Sequence, residues 1–429
     1  MPKVYWRILP LICLAYLCAY MDRVNVSFAS VQMNVDLQFS ATIYGLGGGL
    51  FFLGYALFEV PSNMLLVRFG ARPWLARIMM TWGLLAAGML FVQTPTQFYV
   101  MRFLLGVAEA GFFPGVIYYF AGWFPMAFRG RAVSSFYVAT PLASIVMGGI
   151  SGWLLDLNGV ADLRGWQWLF LVQGLPSVLA GVLVLLFLPD APAAVKWLSE
   201  REKNWLQNTL AEEAAGIGEP SSHNVLAAFR NPRVLMLGAI AFLMLGATTS
   251  FTLSAPAVLM SGTGLDTTHV GYLVSAGGLI GAFTMLLAGR YSDSKGDRLL
   301  MALACTIVLS CAYLTLGVSR SPTIVAVAYL LFASTCFTAA MLLASSWADV
   351  IHVRELAVGA AAINTLGNIG AFVMPYGWGI ARDATGNFQA ASVALAVTSV
   401  LLTALIFGLR SRVHIAAGRT ALSAASRVV

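Results

Sequence analysis

Four ionisable side chains interrupt stretches that otherwise read as helix in lipid. Asp22 and Arg23 are adjacent in YMDRVN, late in a run that begins YWRILPLICL, and Arg102 and Glu109 share the run RFLLGVAEAGFF. A charge at the centre of a bilayer costs on the order of 3 kcal/mol on insertion scales, so such residues normally face a bundle interior or a wet cavity and work there. Arg23 follows Arg7 by about 15 residues, or roughly 22 Å along a helix rising 1.5 Å per residue. A guanidinium stays charged and offers a fork that fits a carboxylate, so Arg23 is expected to hold an anion. A carboxyl inside a membrane can gain or lose a proton as water access changes, so Asp22 and Glu109 are expected to carry protons. Arg102 stands two turns before Glu109 on the same helix face, placed for an ion pair or a second anion contact.

The elements that must position these groups are written in the composition. The 429 residues are 59% hydrophobic and 10% charged, where a soluble domain carries about 25% charge. Mean hydropathy is +0.82, and no soluble core hides that much apolar surface. About twelve stretches are long enough to span a bilayer, near 4–28, 43–66, 73–92, 98–121, 131–155, 167–188, 234–256, 268–289, 299–318, 322–346, 356–380 and 388–409. They lack the two-residue period of a barrel, so the expected class is an all-α integral membrane protein. With twelve crossings, Lys3, Arg7, Arg68, Arg72, Arg77, Lys196, Arg230, Arg290 and Arg412 fall on one side, while the opposite loops hold only Arg164, Arg320 and Arg382. That bias puts both termini and the central loop in the cytoplasm. The location is then a cell's inner membrane, crossed many times, with the lipid bilayer rather than nucleic acid answering the net charge of +7. The first span is too long for a signal core and lacks a small-residue cleavage site. Five cysteines, all in expected spans, read as apolar fillers, and no metal-ligand spacing, phosphate loop or catalytic set appears.

One long polar segment divides the chain. It gives residues 1–189 as a first six-helix bundle, 190–232 as a cytoplasmic loop with a surface helix, and 233–429 as a second six-helix bundle with a short tail. The surface helix is expected to carry Trp197, Leu198, Trp205 and Leu206 on one side. The two halves look duplicated. At an offset of 225 residues Arg129 matches Arg354, Ala132-Val133 matches Ala357-Val358, and Thr140 matches Thr365. At 226, Gly70 matches Gly296 and Arg72 matches Arg298. Twelve helices in two pseudo-symmetric bundles is the architecture of a carrier whose halves rock about a site at the midplane. The monomer is the expected unit. Glu59, Arg129, Arg131, Asp349 and Arg354 lie near cytoplasmic helix ends and are expected to latch the halves there.

The stretch GRYSDSKGDR at 289–298 resembles the loop between spans two and three of each half in the major facilitator superfamily. In the first copy, NMLLVRFGAR, Asn63 and Val67 stand where Gly and Asp are usual. MDRVN, GYALFEVPSNMLLVRFGAR, RFLLGVAEAGFFPG and GWQWLFLVQGLPSVL together resemble its anion–cation symporter group, which includes carriers of galactonate, tartrate, phthalate and hydroxyphenylacetate. The resemblance implies that Arg23 binds the substrate carboxylate and Glu109 is a proton site. It implies pocket positions at Tyr55, Asn364 and Asn368, and at Thr140, where galactonate-type members place a glutamine. The expected function is proton-coupled import of a small organic anion, a carboxylate, by alternating access, with protons as coupling ion and no cofactor. An outward drug–proton antiporter is the rival; Arg23 speaks against cationic drugs. A membrane sensor lacks its soluble output domain here, and an intramembrane enzyme lacks its catalytic set.

Overall fold

A computed structural model describes residues 1–217, 230–295, 297–351 and 355–425. Among the described residues, twelve helices are long and apolar enough to cross a membrane: span 1 (Pro2–Asp36), span 2 (Ala41–Phe69), span 3 (Ala71–Phe91), span 4 (Pro95–Ala121), span 5 (Met126–Asp156), span 6 (Gly165–Phe187), span 7 (Pro232–Thr263), span 8 (Thr267–Ser292), span 9 (Arg298–Val318), span 10 (Pro322–Trp347), span 11 (Val358–Thr385) and span 12 (Gln389–Arg412). Their starts carry local signals. Ser40 caps span 2, and Thr94 with Gln97 forms a capping box at span 4, each satisfying backbone N–H groups that have no partner within the helix.

Two spans are broken, and each break has a chemical cause. Span 4 is helical from Pro95 to Glu109 and again from Phe112 to Ala121. Between them Gly111 takes φ +85°, a conformation that favours glycine. Pro114 lacks the N–H that would bond the Ala110 carbonyl. Glu109 therefore closes the first segment. Span 5 is interrupted at Val138, three residues before Pro141. The carbonyl of Tyr137 loses its partner to that proline, and the Thr140 hydroxyl donates to it at 2.9 Å instead.

Spans 1–6 pack together, as do spans 7–12, and the groups meet along spans 2 and 11 and spans 5 and 8. Toward the face away from the N-terminus these seams reach backbone contact. A side chain at Gly49 would overlap the Phe372 carbonyl, and Gly148 lies against Gly271. Small residues let helices approach where no hydrophobic force draws them together. The Asp383 carboxylate accepts from the Ala41 and Thr42 N–H groups at 3.0 and 2.8 Å, placing an acid at the N-terminus of span 2. At the opposite face Arg72 pairs with Asp190 at 3.0 Å, tying the start of span 3 to the end of span 6. Arg410 pairs with Asp297 at 2.8 Å, tying the end of span 12 to the start of span 9 with the charges exchanged.

The connecting helix runs Glu200–Ile217. It begins there because Ser199 and Glu202 form the reciprocal cap of an S-x-x-E sequence. Trp197 and Leu198 thus precede the helix, and Trp205 is exposed while Leu206 is buried. The helix is held to the first bundle by Lys3–Glu202 at 2.9 Å and by Glu213, which accepts from the Met126 N–H at 2.9 Å. Trp197 stacks on Trp123. The Lys3 ammonium and the cap hold the Glu202 carboxyl down to about 2, so this contact keeps its charge at any physiological pH and is lost only as pH falls through that value.

Candidate functional site

Spans 1 and 4 bring the four membrane charges into one cluster inside the first bundle. Arg23 Nη2 donates to Glu109 Oε1 at 2.6 Å. Arg102 Nη1 lies 4.0 Å from Asp22 Oδ2, an ion pair without a hydrogen bond. Two acids and two arginines balance. Exposure separates them: the Asp22, Arg102 and Glu109 side chains are 1%, 2% and 3% exposed, whereas Arg23 is 28% exposed. Arg23 is thus the member that reaches open space. Neither Asp22 oxygen and only one Glu109 oxygen has a hydrogen-bond donor among the described residues. An ionised carboxylate buried in that way is costly, which ties its charge to its protonation.

Aromatic rings frame the exposed guanidinium. Its central carbon lies 5.0 Å from the Tyr20 ring, 5.5 Å from Phe51, 5.9 Å from Phe52 and 6.0 Å from Tyr55. Ring faces attract a cation, most strongly where water is excluded. Phe51 also covers Arg102 at 4.9 Å. Tyr55 stands out in the sequence through the family resemblance; Tyr20, Phe51 and Phe52 do not. Their signal was spacing, Tyr20 one turn before Arg23 and the other two one turn before Tyr55.

The other expected positions distribute as follows. Thr140 is buried in span 5, its proton committed to Tyr137. Asn364 donates to both oxygens of Glu59 at 2.8 Å, joining span 11 to span 2 across the two bundles. The pocket position and the latch position are therefore partners in this conformation. Asn368, one turn on, is buried. Arg129 turns to the connecting helix, 3.7 Å from Glu213, and donates to the Phe124 carbonyl. Arg131 lies over the Tyr5 ring at 5.8 Å. The side chain of Asp349 and all of Arg354 lie outside the described residues. Among the described residues no three His, Cys, Asp or Glu groups come together to hold a metal.

Two packed six-helix groups, the first enclosing a charged cluster, form the frame of a membrane carrier. The family model of the Major Facilitator Superfamily matches residues 12–375. The chain belongs to that superfamily: it is a multi-pass membrane transporter, not an enzyme. It is 39% identical over 412 residues to a protein of Agrobacterium vitis named a putative tartrate transporter, covering 94% of this chain and 90% of that one. It is 38% identical over 416 residues to a quinolone resistance transporter of Acinetobacter baumannii, covering 94% of each. Among solved structures, a bacterial homolog of the human lysosomal transporter Spinster, inward-facing and unoccupied, superposes with a TM-score of 0.77 over 96% of this chain and 98% of its own. At 16% identity that likeness is one of fold.

Proposed function

We propose that this transporter is a proton-coupled symporter that imports a small organic carboxylate across the cytoplasmic membrane, working as a monomer with both termini inside. The observation that carries this reading is the Arg23–Glu109 ion pair at 2.6 Å, in which Arg23 alone is accessible. A substrate carboxylate and Glu109 compete for one guanidinium. A proton on Glu109 releases Arg23, and the anion takes the vacated place with the charge at Arg23 still balanced. A second proton on Asp22 removes a carboxylate charge that no donor solvates. Loaded in this way, the site passes through the occluded state with little unpaired charge, and the halves rock to expose it inward. There the anion and protons leave, and Glu109 recaptures Arg23. Tyr55, Thr140 and Asn368 complete the pocket wall. Asn364 with Glu59 links the bundles on the inner side.

With two protons per monoanion, one positive charge enters per cycle, and the membrane potential adds about 2.3 kcal/mol per 100 mV. A pH-sensitive dye inside proteoliposomes checks the direction. Adding a carried anion outside acidifies the lumen faster than in protein-free vesicles, and an inside-negative potential speeds it further. The relative named a quinolone resistance transporter favours a second reading, outward antiport of an aromatic drug. That reading gives the opposite sign, with proton movement against the substrate.

A further inference from the structure

We propose that Arg77 and Trp74, in the first turns of span 3, hold the phosphate of an anionic phospholipid, with Arg68 at the end of span 2 as a second cation across the same pair of rings. The site is separate from the transport cluster and independent of the substrate and the coupling ion. Arg77 stands six residues past Ala71, where span 3 begins, or about 9 Å along the helix. A charge at that depth needs a counter-charge or a route to the headgroups. The Arg77 Nε is buried with no hydrogen-bond partner, and no acid pairs with the side chain among the described residues.

Two stacked rings connect the basic groups. Phe69 and Trp74 lie 5.7 Å apart and 10° from parallel. The central carbon of Arg77 is 4.1 Å from the Trp74 ring, and that of Arg68 is 5.7 Å from the Phe69 ring. The Trp74 N–H donates to Ser62 Oγ at 3.1 Å, which holds the indole in place against Arg77. Stacking occupies the face of a guanidinium and leaves its edge N–H groups for an oxyanion. The acid missing from this turn is visible in the internal repeat: at an offset of 226 residues, Val67 falls where the second half has Asp293. The third arginine of the turn, Arg72, is already paired with Asp190. Arg68 and Arg77 thus form a basic site at the membrane face with no neutralising acid among the described residues. Around it Met64, Val67 and Phe69 are exposed and apolar. A phospholipid answers both features, its phosphate meeting the fork and its acyl chains covering the apolar surface. A soluble anion answers only the first. Basic pockets between spans at a membrane face are suited to anionic headgroups.

The test is native mass spectrometry of the detergent-purified protein titrated with phosphatidylglycerol. Phosphatidylcholine is the zwitterionic probe and inorganic phosphate the soluble one. The expected result is retention of phosphatidylglycerol over phosphatidylcholine, undisturbed by excess inorganic phosphate. Arg77→Gln lowers phosphatidylglycerol affinity roughly fivefold or more, the scale of one basic residue at an anionic surface. Arg77→Lys keeps the charge without the fork and falls between the two. Arg164→Gln, on the opposite face, leaves the affinity unchanged. Equal retention of both lipids by wild type overturns the inference, as does undiminished phosphatidylglycerol affinity in folded Arg77→Gln protein. Displacement by inorganic phosphate also overturns it and assigns the site to a soluble anion. The headgroup comparison uses wild-type protein, so it decides the matter even where Arg77→Gln fails to fold.

Discussion

Arg23→Ala abolishes carboxylate uptake, and the loss appears in substrate affinity. Removing one partner of a buried charge pair costs about 2–5 kcal/mol, so Kd rises by at least about 30-fold. The variant also leaves Glu109 without its cation, and that imbalance alone can disturb folding. The double variant Arg23→Ala/Glu109→Gln separates the two effects. It restores charge balance inside the first bundle, recovers thermal stability, and still fails to bind anion. Arg23→Lys keeps the charge but loses the two-pronged fork and falls between wild type and alanine. Binding by isothermal titration in detergent, read beside Tm, checks all three. Wild-type affinity in the double variant would remove Arg23 from the site.

Glu109→Gln uncouples transport without stopping it. Glutamine cannot titrate and leaves Arg23 without its anionic competitor, at 2.6 Å in the wild type. Substrate in the variant therefore meets no carboxylate competing for Arg23, and it binds more tightly than to wild type. Counterflow exchange of labelled substrate continues, while accumulation driven by a proton gradient falls well below wild type, to no more than the single proton on Asp22 can drive. A variant that accumulates substrate as far as wild type would place this coupling elsewhere.

The sequence carried the frame of this molecule more fully than its contacts. The twelve apolar stretches are averages over about 20 residues, and such averages survive local irregularity. The same averaging hides single-residue events. The break after Glu109 turns on Gly111 and Pro114, and the break at Val138 on Pro141, all inside runs that look continuous. A charge in lipid announces itself, so Asp22, Arg23, Arg102 and Glu109 stood out as a set. Their pairing did not, since Arg23 and Glu109 lie 86 positions apart and Asn364 and Glu59 lie 305 apart. Linear spacing says nothing of partners at that separation. Tyr20, Phe51 and Phe52 escaped for another reason: in a chain rich in aromatics, a ring that frames a cation has the same letter as a ring that faces lipid.

Exposure, rather than identity, sets the members of the cluster apart. Arg23 and Arg102 are the same residue type in the same bundle, but one is 28% and the other 2% exposed. The break in span 4 is part of this arrangement. It ends the helix at Glu109, which accepts from the exposed Arg23.

Accumulation against a gradient tests the central claim most directly. Proteoliposomes with an alkaline lumen are placed in acidic buffer containing a mixed panel of labelled sugar, hydroxy, aromatic and dicarboxylic acids, and uptake of each is compared with vesicles carrying Arg23→Ala, which corrects for acid crossing the lipid unaided. Proton-coupled import predicts internal substrate well above both the external concentration and the Arg23→Ala level, collapsing when a protonophore is added. Uptake that only equilibrates, or that accumulates solely when the proton gradient points outward, would contradict it.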